Sequence, residues 1–274
     1  MKEYPKEYLI EHKVTYQKGY KAFRNEILGQ MQKGQPLSEI TSQVKEPDFQ
    51  KNLPDIPISE LKDYGKMKER LRIRLMGRKG IAVFQEEVPY QVHPMGVVTV
   101  YAKFEEKKDG IVMGMHITHL IRDVWGISET ELFETALENS KEKDFVQFQP
   151  LKEELGKVMG MERTKNEAAD PNTLYILSNQ SKQFGAAVLL YPGVLESVHK
   201  KLGRDYYILP SSVHEVLVLS KGSDILPEVL KSTVKAVNRR EVRPEERLAN
   251  EIYEYRGENG TLKRCHIPER EMAL

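Results

Sequence analysis

The runs "VVTVYAKFEE" and "GIVMGMHI", placed on either side of "KKDG", restrict the fold of this chain more than any other feature. Both are rich in β-branched and aromatic residues, and Asp109-Gly110 between them is a signal for a tight turn joining antiparallel strands. A second pair of the same form, "IYEYR" and "TLKRC" around "GENG", lies near the C-terminus. Hairpins mixed with helical patterns, without strict strand–helix–strand alternation, predict an α+β fold: a mixed, largely antiparallel sheet with packed helices.

Helical periodicity places the other elements. Ser128 and Glu131 in "SETE" have capping-box spacing, so a helix is expected from about Glu129 toward Ser140, with Leu132, Phe133, Ala136 and Leu137 facing inward. From Ser59 to Leu75 the residues Leu61, Tyr64, Met67, Leu71 and Leu75 fit a helix; "LRIRL" alone alternates like a strand, and length favours the helix. The second half reads as strands at "LYILS", "GAAVLLY", "DYYILP" and "VHEVLVL", with helices from Pro192 to Leu202 and from Pro227 to Asn238. Residues 1–35 form a helical arm whose stripe is Tyr16, Tyr20, Phe23, Ile27 and Met31, and residues 44–58, with three prolines, read as a linker. The expected organisation is an arm and linker over 1–58 and a main domain over 59–274, divisible into lobes at 59–165 and 170–274.

Charge and cysteine usage bound the class. The 42 basic and 41 acidic residues leave a net charge of +1, so any attraction to nucleic acid or acidic lipid has to be local. The single cysteine, Cys265, cannot close an intrachain disulfide, which fits a reducing compartment. The opening "MKEYPKEYLIEHK" has no apolar core like that of a signal peptide, and the longest apolar run, "GAAVLLYPGVL", is interrupted by Pro192. A cytoplasmic protein without a membrane span is expected.

Three constellations bear on chemistry. In "LPSSVHEV", Ser211, Ser212, His214 and Glu215 are the residue types of a nucleophile, a base and an orienting acid. On a strand Ser212 and His214 share one face and Glu215 the other, so a triad would borrow its carboxylate from elsewhere; on a turn, Ser212 and Glu215 have capping-box spacing and a structural use. His116 and His119 in "MHITHL" would share a helical face suited to a metal, but zinc normally takes three or four protein ligands. Lys66, Arg70 and Arg74, spaced by four, make a basic stripe on the predicted 59–75 helix, and Arg239 and Arg240 form a second cluster; both are candidates for binding a partner or phosphates. Phosphate-loop and dinucleotide fingerprints are absent, and no cofactor is expected.

Five stretches, "YGKMKERLRIRL", "VWGISETELFETALENS", "LYILSNQSKQFGAAVLLYPGVLE", "YYILPSSVHEVLVL" and "VNRREVRPEERLANEIYEY", resemble an uncharacterised bacterial family. It is a domain of unknown function common in anaerobic Gram-positive gut bacteria and their mobile elements, and the resemblance covers roughly residues 36 to 265. It implies a shared fold and no assigned activity, cofactor or catalytic residue. Three functional expectations stand beside one another. The first is a non-enzymatic cytosolic binding protein, a mobile-element accessory or counter-defence (anti-CRISPR-like) inhibitor acting on a host protein or protein–nucleic acid complex. The second is a hydrolase using Ser211 or Ser212 with His214, and the third is direct RNA or DNA binding through the basic stripe.

Overall fold

The computed structural model describes residues 58–82, 86–105, 112–158, 170–210 and 212–267. The predicted arm, nearly all of the predicted linker and Ser211 lie outside them.

The described residues begin with two short helices, α1 (Ile58–Leu61) and α2 (Tyr64–Met67), and a 3-10 turn at Lys68–Arg70, followed by strand β1 (Leu71–Met76). The expected helix over 59–75 is therefore corrected: it ends at Leu71, whose backbone is extended at φ −67, ψ 134. A helix would turn Ile73 about 200° away from Leu71. A strand puts Leu71, Ile73 and Leu75 on one face, where all three are buried. Burial is worth roughly 1.5–3 kcal/mol per large aliphatic side chain, whereas helix propensities differ by only about 0.7 kcal/mol per residue, so packing decides.

After α3 (Arg78–Ile81), strands β2 (Tyr90–His93), β3 (Gly96–Glu105) and β4 (Val112–His116) complete the first sheet. β3 is its axis. β1 runs antiparallel along one side, from Leu71↔Ala102 to Met76↔Val97, while β2 and β4 lie end to end along the other. The β3–β4 pairing, Glu105↔Val112, is the expected hairpin. Cross-strand register gives the sheet two unlike faces. Leu71, Ile73, Leu75, Val98, Val100 and Ala102 are apolar and buried, and the opposite face carries Arg72, Arg74, Thr99, Tyr101, Lys103 and His116.

Helices α4 (His119–Trp125) and α5 (Glu129–Lys143) follow, each capped by a hydroxyl. Ser128 Oγ accepts the Glu131 N–H at 3.1 Å, as the "SETE" spacing predicts, and Leu132, Phe133 and Ala136 face the core. Ser128→Ala is expected to lower stability by about 1 kcal/mol, read as a fall in melting temperature. α5 also closes the outer edge of β1. Ser140 Oγ accepts the Ile73 N–H at 3.0 Å, and Asn139 Nδ2 donates to the Lys68 and Leu71 carbonyls.

The second sheet is built from β5 (Val146–Pro150), β6 (Leu174–Asn179), β7 (Tyr206–Pro210), β8 (Val216–Ser220), β9 (Tyr253–Arg256) and β10 (Thr261–Arg264). Its order is β10-β9-β7-β8-β6-β5, every pair antiparallel, with the "GENG" hairpin at one edge. Between the strands run α6 (Leu151–Val158), α7 (Val194–Leu202) and α8 (Pro227–Glu241). "GAAVLLY" is corrected from strand to a 3-10 helix, Gly185–Leu190, because its apolar run is buried on all sides and a strand's alternation would not achieve that. α8 lays Leu230 and Val234 on Tyr207, Leu209 and Leu219. The other face of the sheet, with Leu177, Tyr206, Ile208, Val216 and Val218, joins the 3-10 helix, α7 and the first sheet in one core. Tyr253 Oη donates to the Pro94 carbonyl at 3.0 Å, tying the two sheets directly. The fold is α+β, and no described helix is long and apolar enough to cross a membrane.

Candidate functional site

"LPSSVHEV" closes the β7–β8 hairpin. Pro210 pairs with Val216, and the described residues 212–215 between them adopt neither the strand nor the capping geometry expected of them. Ser212 Oγ accepts the backbone N–H of His214 at 3.1 Å, a hydroxyl turn two residues long, rather than capping at Glu215. Glu215 takes part through its carbonyl, which accepts from Ser212 N–H at 3.5 Å. Val213, fully buried, donates its N–H to the Glu246 carbonyl at 2.8 Å and accepts from Ala186 at 3.2 Å. The His214 carbonyl accepts the Ser178 hydroxyl at 2.7 Å. The loop is thus bound to β6, to the 3-10 helix and to the segment after α8.

The His214 ring sits at the centre of these ties. Its Nδ1 accepts the Phe184 N–H at 3.2 Å, and its Nε2 lies 3.3 Å from Glu246 Oε1. A ring that accepts at Nδ1 carries its proton on Nε2 and donates it to the carboxylate, an assignment inferred from the hydrogen bonds. Phe184 stacks on the imidazole at 5.5 Å with an interplanar angle of 18°, meets Tyr101 edge-on at 5.2 Å, and lies under the Arg74 guanidinium at 3.9 Å. A column therefore runs from the polar face of the first sheet, through Phe184 and His214, to Glu246 and Arg243. Lys182 and Phe184 have φ of 54 and 51, a left-handed conformation uncommon for bulky residues and worth about 1–3 kcal/mol of strain each.

Glu246 is the carboxylate that the sequence required from elsewhere. It accepts from Arg243 through Nε at 2.9 Å and through Nη2. The His214 hydrogen bond first, and the Arg243 guanidinium next, pull its carboxyl from 4.5 down to about 2 against the opposing effect of burial. A depressed carboxylate stabilises the fold fully above its unfolded value and progressively less as pH falls from 4.5 toward 2. Discounted for solvent screening of the exposed Arg243, the depression corresponds to roughly 1–2 kcal/mol at neutral pH. Glu246→Gln is expected to remove that acid-labile part, so that denaturant midpoints measured between pH 5 and 3 fall less steeply than in the wild type.

Among the described residues, the site as a catalytic arrangement is a base and an acid without a hydroxyl on the base. Both His214 ring nitrogens are engaged, and the Ser212 hydroxyl bonds to backbone. Ser211 lies outside the described residues.

The remaining candidates are dispersed. His116 ends β4 and His119 begins α4, so they share no helical face, and no group of three metal-binding side chains occurs among the described residues. Burial, with the charge of Arg74, pushes His116 down to about 3. Unfolding frees it to titrate at 6.5, so stability is expected to fall as pH drops below that value, and His116→Gln should flatten the part of this limb above pH 4.5. The helical basic stripe does not form either: Lys66 is in α2, Arg70 in the 3-10 turn and Arg74 in β1. Lys66 lies 3.9 Å from Asp63, Arg70 lies 3.7 Å from Glu60 and over the Phe104 ring, and Arg74 covers Phe184. Arg239 and Arg240 are exposed in the last turn of α8. Neither Phe184 nor Glu246 was marked by sequence. Glu246 is 32 positions from His214 within a run of charges, and Phe184 gives no sign of its backbone conformation.

No curated protein and no solved structure matches the chain. A family model matches residues 20–257, beginning before the resemblance at residue 36 and taking in the arm from Tyr20 onward. The chain belongs to DUF5688, a family of unknown function.

Proposed function

We propose that this protein is a non-enzymatic binding protein that docks on a partner through the outer surface of α8. The observation that supports the reading is the exposed side of that helix. Inward it packs Leu230, Val234 and Asn238, yet Leu226, Val229 and Val237 remain 58%, 50% and 40% exposed. Arg239 and Arg240 stand beside them at the C-terminal end. An apolar stripe ending in arginines has the composition of interface cores and suits a protein or protein–nucleic acid surface.

The resemblance to proteins of anaerobic Gram-positive gut bacteria and their mobile elements supports placing that partner in the bacterial cytoplasm. In that setting the protein acts as an accessory or counter-defence inhibitor that occupies a host protein or protein–nucleic acid complex. The test is cross-linking and affinity recovery from a host lysate with wild type and with Val229→Asp/Val237→Asp. The reading expects specific partners that disappear with the variant while its melting temperature holds. Equal recovery by both proteins overturns it. Recovery of nucleic acid alone, abolished by Arg239→Ala/Arg240→Ala and by salt, replaces it with direct RNA or DNA binding.

One observation favours the hydrolase reading: Glu246 supplies His214 with a carboxylate at 3.3 Å. A serine-directed fluorophosphonate probe distinguishes the two. Labelling that disappears in Ser211→Ala or Ser212→Ala supports the hydrolase, and no labelling supports binding.

A further inference from the structure

The short helices α1 and α2 touch both α4 and α5. Trp125 of α4 donates its indole N–H to the Leu61 carbonyl at 2.8 Å. The Tyr64 ring packs at 5.5 Å from Trp125, and the Tyr64 hydroxyl bonds to Thr135 of α5 at 3.1 Å. Among the described residues, each of these helices also leaves side chains exposed. α4 leaves Leu120 and Val124, one turn apart, 41% and 46% exposed. α5 carries Glu131, Glu134, Glu138 and Glu142, all exposed and spaced by three, four and four, so they form one acidic ridge whose first member neighbours Tyr64.

The segment that precedes Ile58 is complementary to this surface. Its stripe of Tyr16, Tyr20, Phe23, Ile27 and Met31 needs an apolar seat. Between residues 13 and 33 it holds Lys13, Lys18, Lys21, Arg24 and Lys33 against one acid, Glu26. On the helix predicted for the arm, Arg24 and Lys21 follow the stripe on one side, about 60° and 120° from its centre, while Lys18 falls on the opposite face. Residues 34–57 are long enough to reach this surface, since an extended chain gains about 3.3 Å per residue. The family model also takes in the arm from Tyr20 together with the body.

We propose that residues 13–33 dock on the body of their own chain. The aromatic and aliphatic stripe covers Leu120 and Val124, and the basic flank pairs with the Glu131–Glu142 ridge. The contact is separate from the outer surface of α8, so its failure leaves the proposed function standing.

Trypsin tests this in the full chain, because cleavage after Lys18, Lys21 and Arg24 tracks the population of undocked arm. Cleavage at these sites is expected to be slow at low salt. It should accelerate about tenfold in Leu120→Ser/Val124→Ser, in Glu134→Lys/Glu138→Lys, and in the wild type when salt screens the ridge. The salt titration requires no variant and keeps the test valid if a substitution impairs folding. Cleavage rates indifferent to salt and to both variants overturn the proposal. Protection that disappears on dilution also overturns it, because the arm would then be seated on a second copy.

Discussion

Asp144→Ala is expected to cost about 3–5 kcal/mol, enough to unfold much of the protein at moderate denaturant. Asp144, at the C-terminal end of α5, is buried 3.6 Å from Arg72 Nε and 3.7 Å from Lys103 Nζ on the polar face of the first sheet. Arg72 Nη1 also donates to the Glu69 and Leu71 carbonyls, so the guanidinium is fixed and cannot swing into water. Removing the carboxylate strands a buried cation, and that penalty exceeds what the ion pair itself contributes. Arg72→Met/Asp144→Leu should therefore recover a large part of the loss in urea denaturation. A single-variant loss below about 1 kcal/mol would show that the cluster is wetter than its burial indicates.

Gly185→Ala is the second large effect, with an expected loss of about 2 kcal/mol or more. A Cβ at Gly185 would fall against the Ser178 hydroxyl, the His214 carbonyl and the Asn179 amide nitrogen, and the first two of these hold β6 to the LPSSVHEV loop. Two of them are backbone and cannot rotate away. Relief requires moving the 3-10 helix, and with it Phe184 and the amide that His214 accepts. The variant is expected to melt lower and to lose the Glu246-dependent acid limb together with it. A melt unchanged within about 0.5 kcal/mol would mean that the clasp is looser than its contacts.

Much of the architecture was legible because it is written in local chemistry. Ser128 and Glu131 announce α5, Asp109-Gly110 announces the β3–β4 hairpin, and "GENG" announces β9–β10. Where reading failed, two periods competed or none existed. Leu71 and Leu75 satisfy a helical spacing as well as a strand's, and only the burial of Ile73 on the same face separates them. "GAAVLLY" has no period at all, and its 3-10 form follows from Phe184 turning left-handed and Gly185 seating against β6. The site was the least legible part. Its histidine was visible in "LPSSVHEV", but its carboxylate, its stacking ring and the cation above that ring come from Glu246, Phe184 and Arg74, which only the tertiary fold assembles.

The claim at the centre of this account is that "LPSSVHEV" is a clasp whose histidine is committed to structure. Two-bond proton–nitrogen correlation spectra of the His214 imidazole near neutral pH test it most directly. A proton on Nε2 and a hydrogen-bonded, unprotonated Nδ1 are expected, with a pattern that Glu246→Gln disturbs and Ser212→Ala leaves in place. A ring protonated on Nδ1, or one whose proton changes nitrogen when the Ser212 hydroxyl is removed, would contradict it.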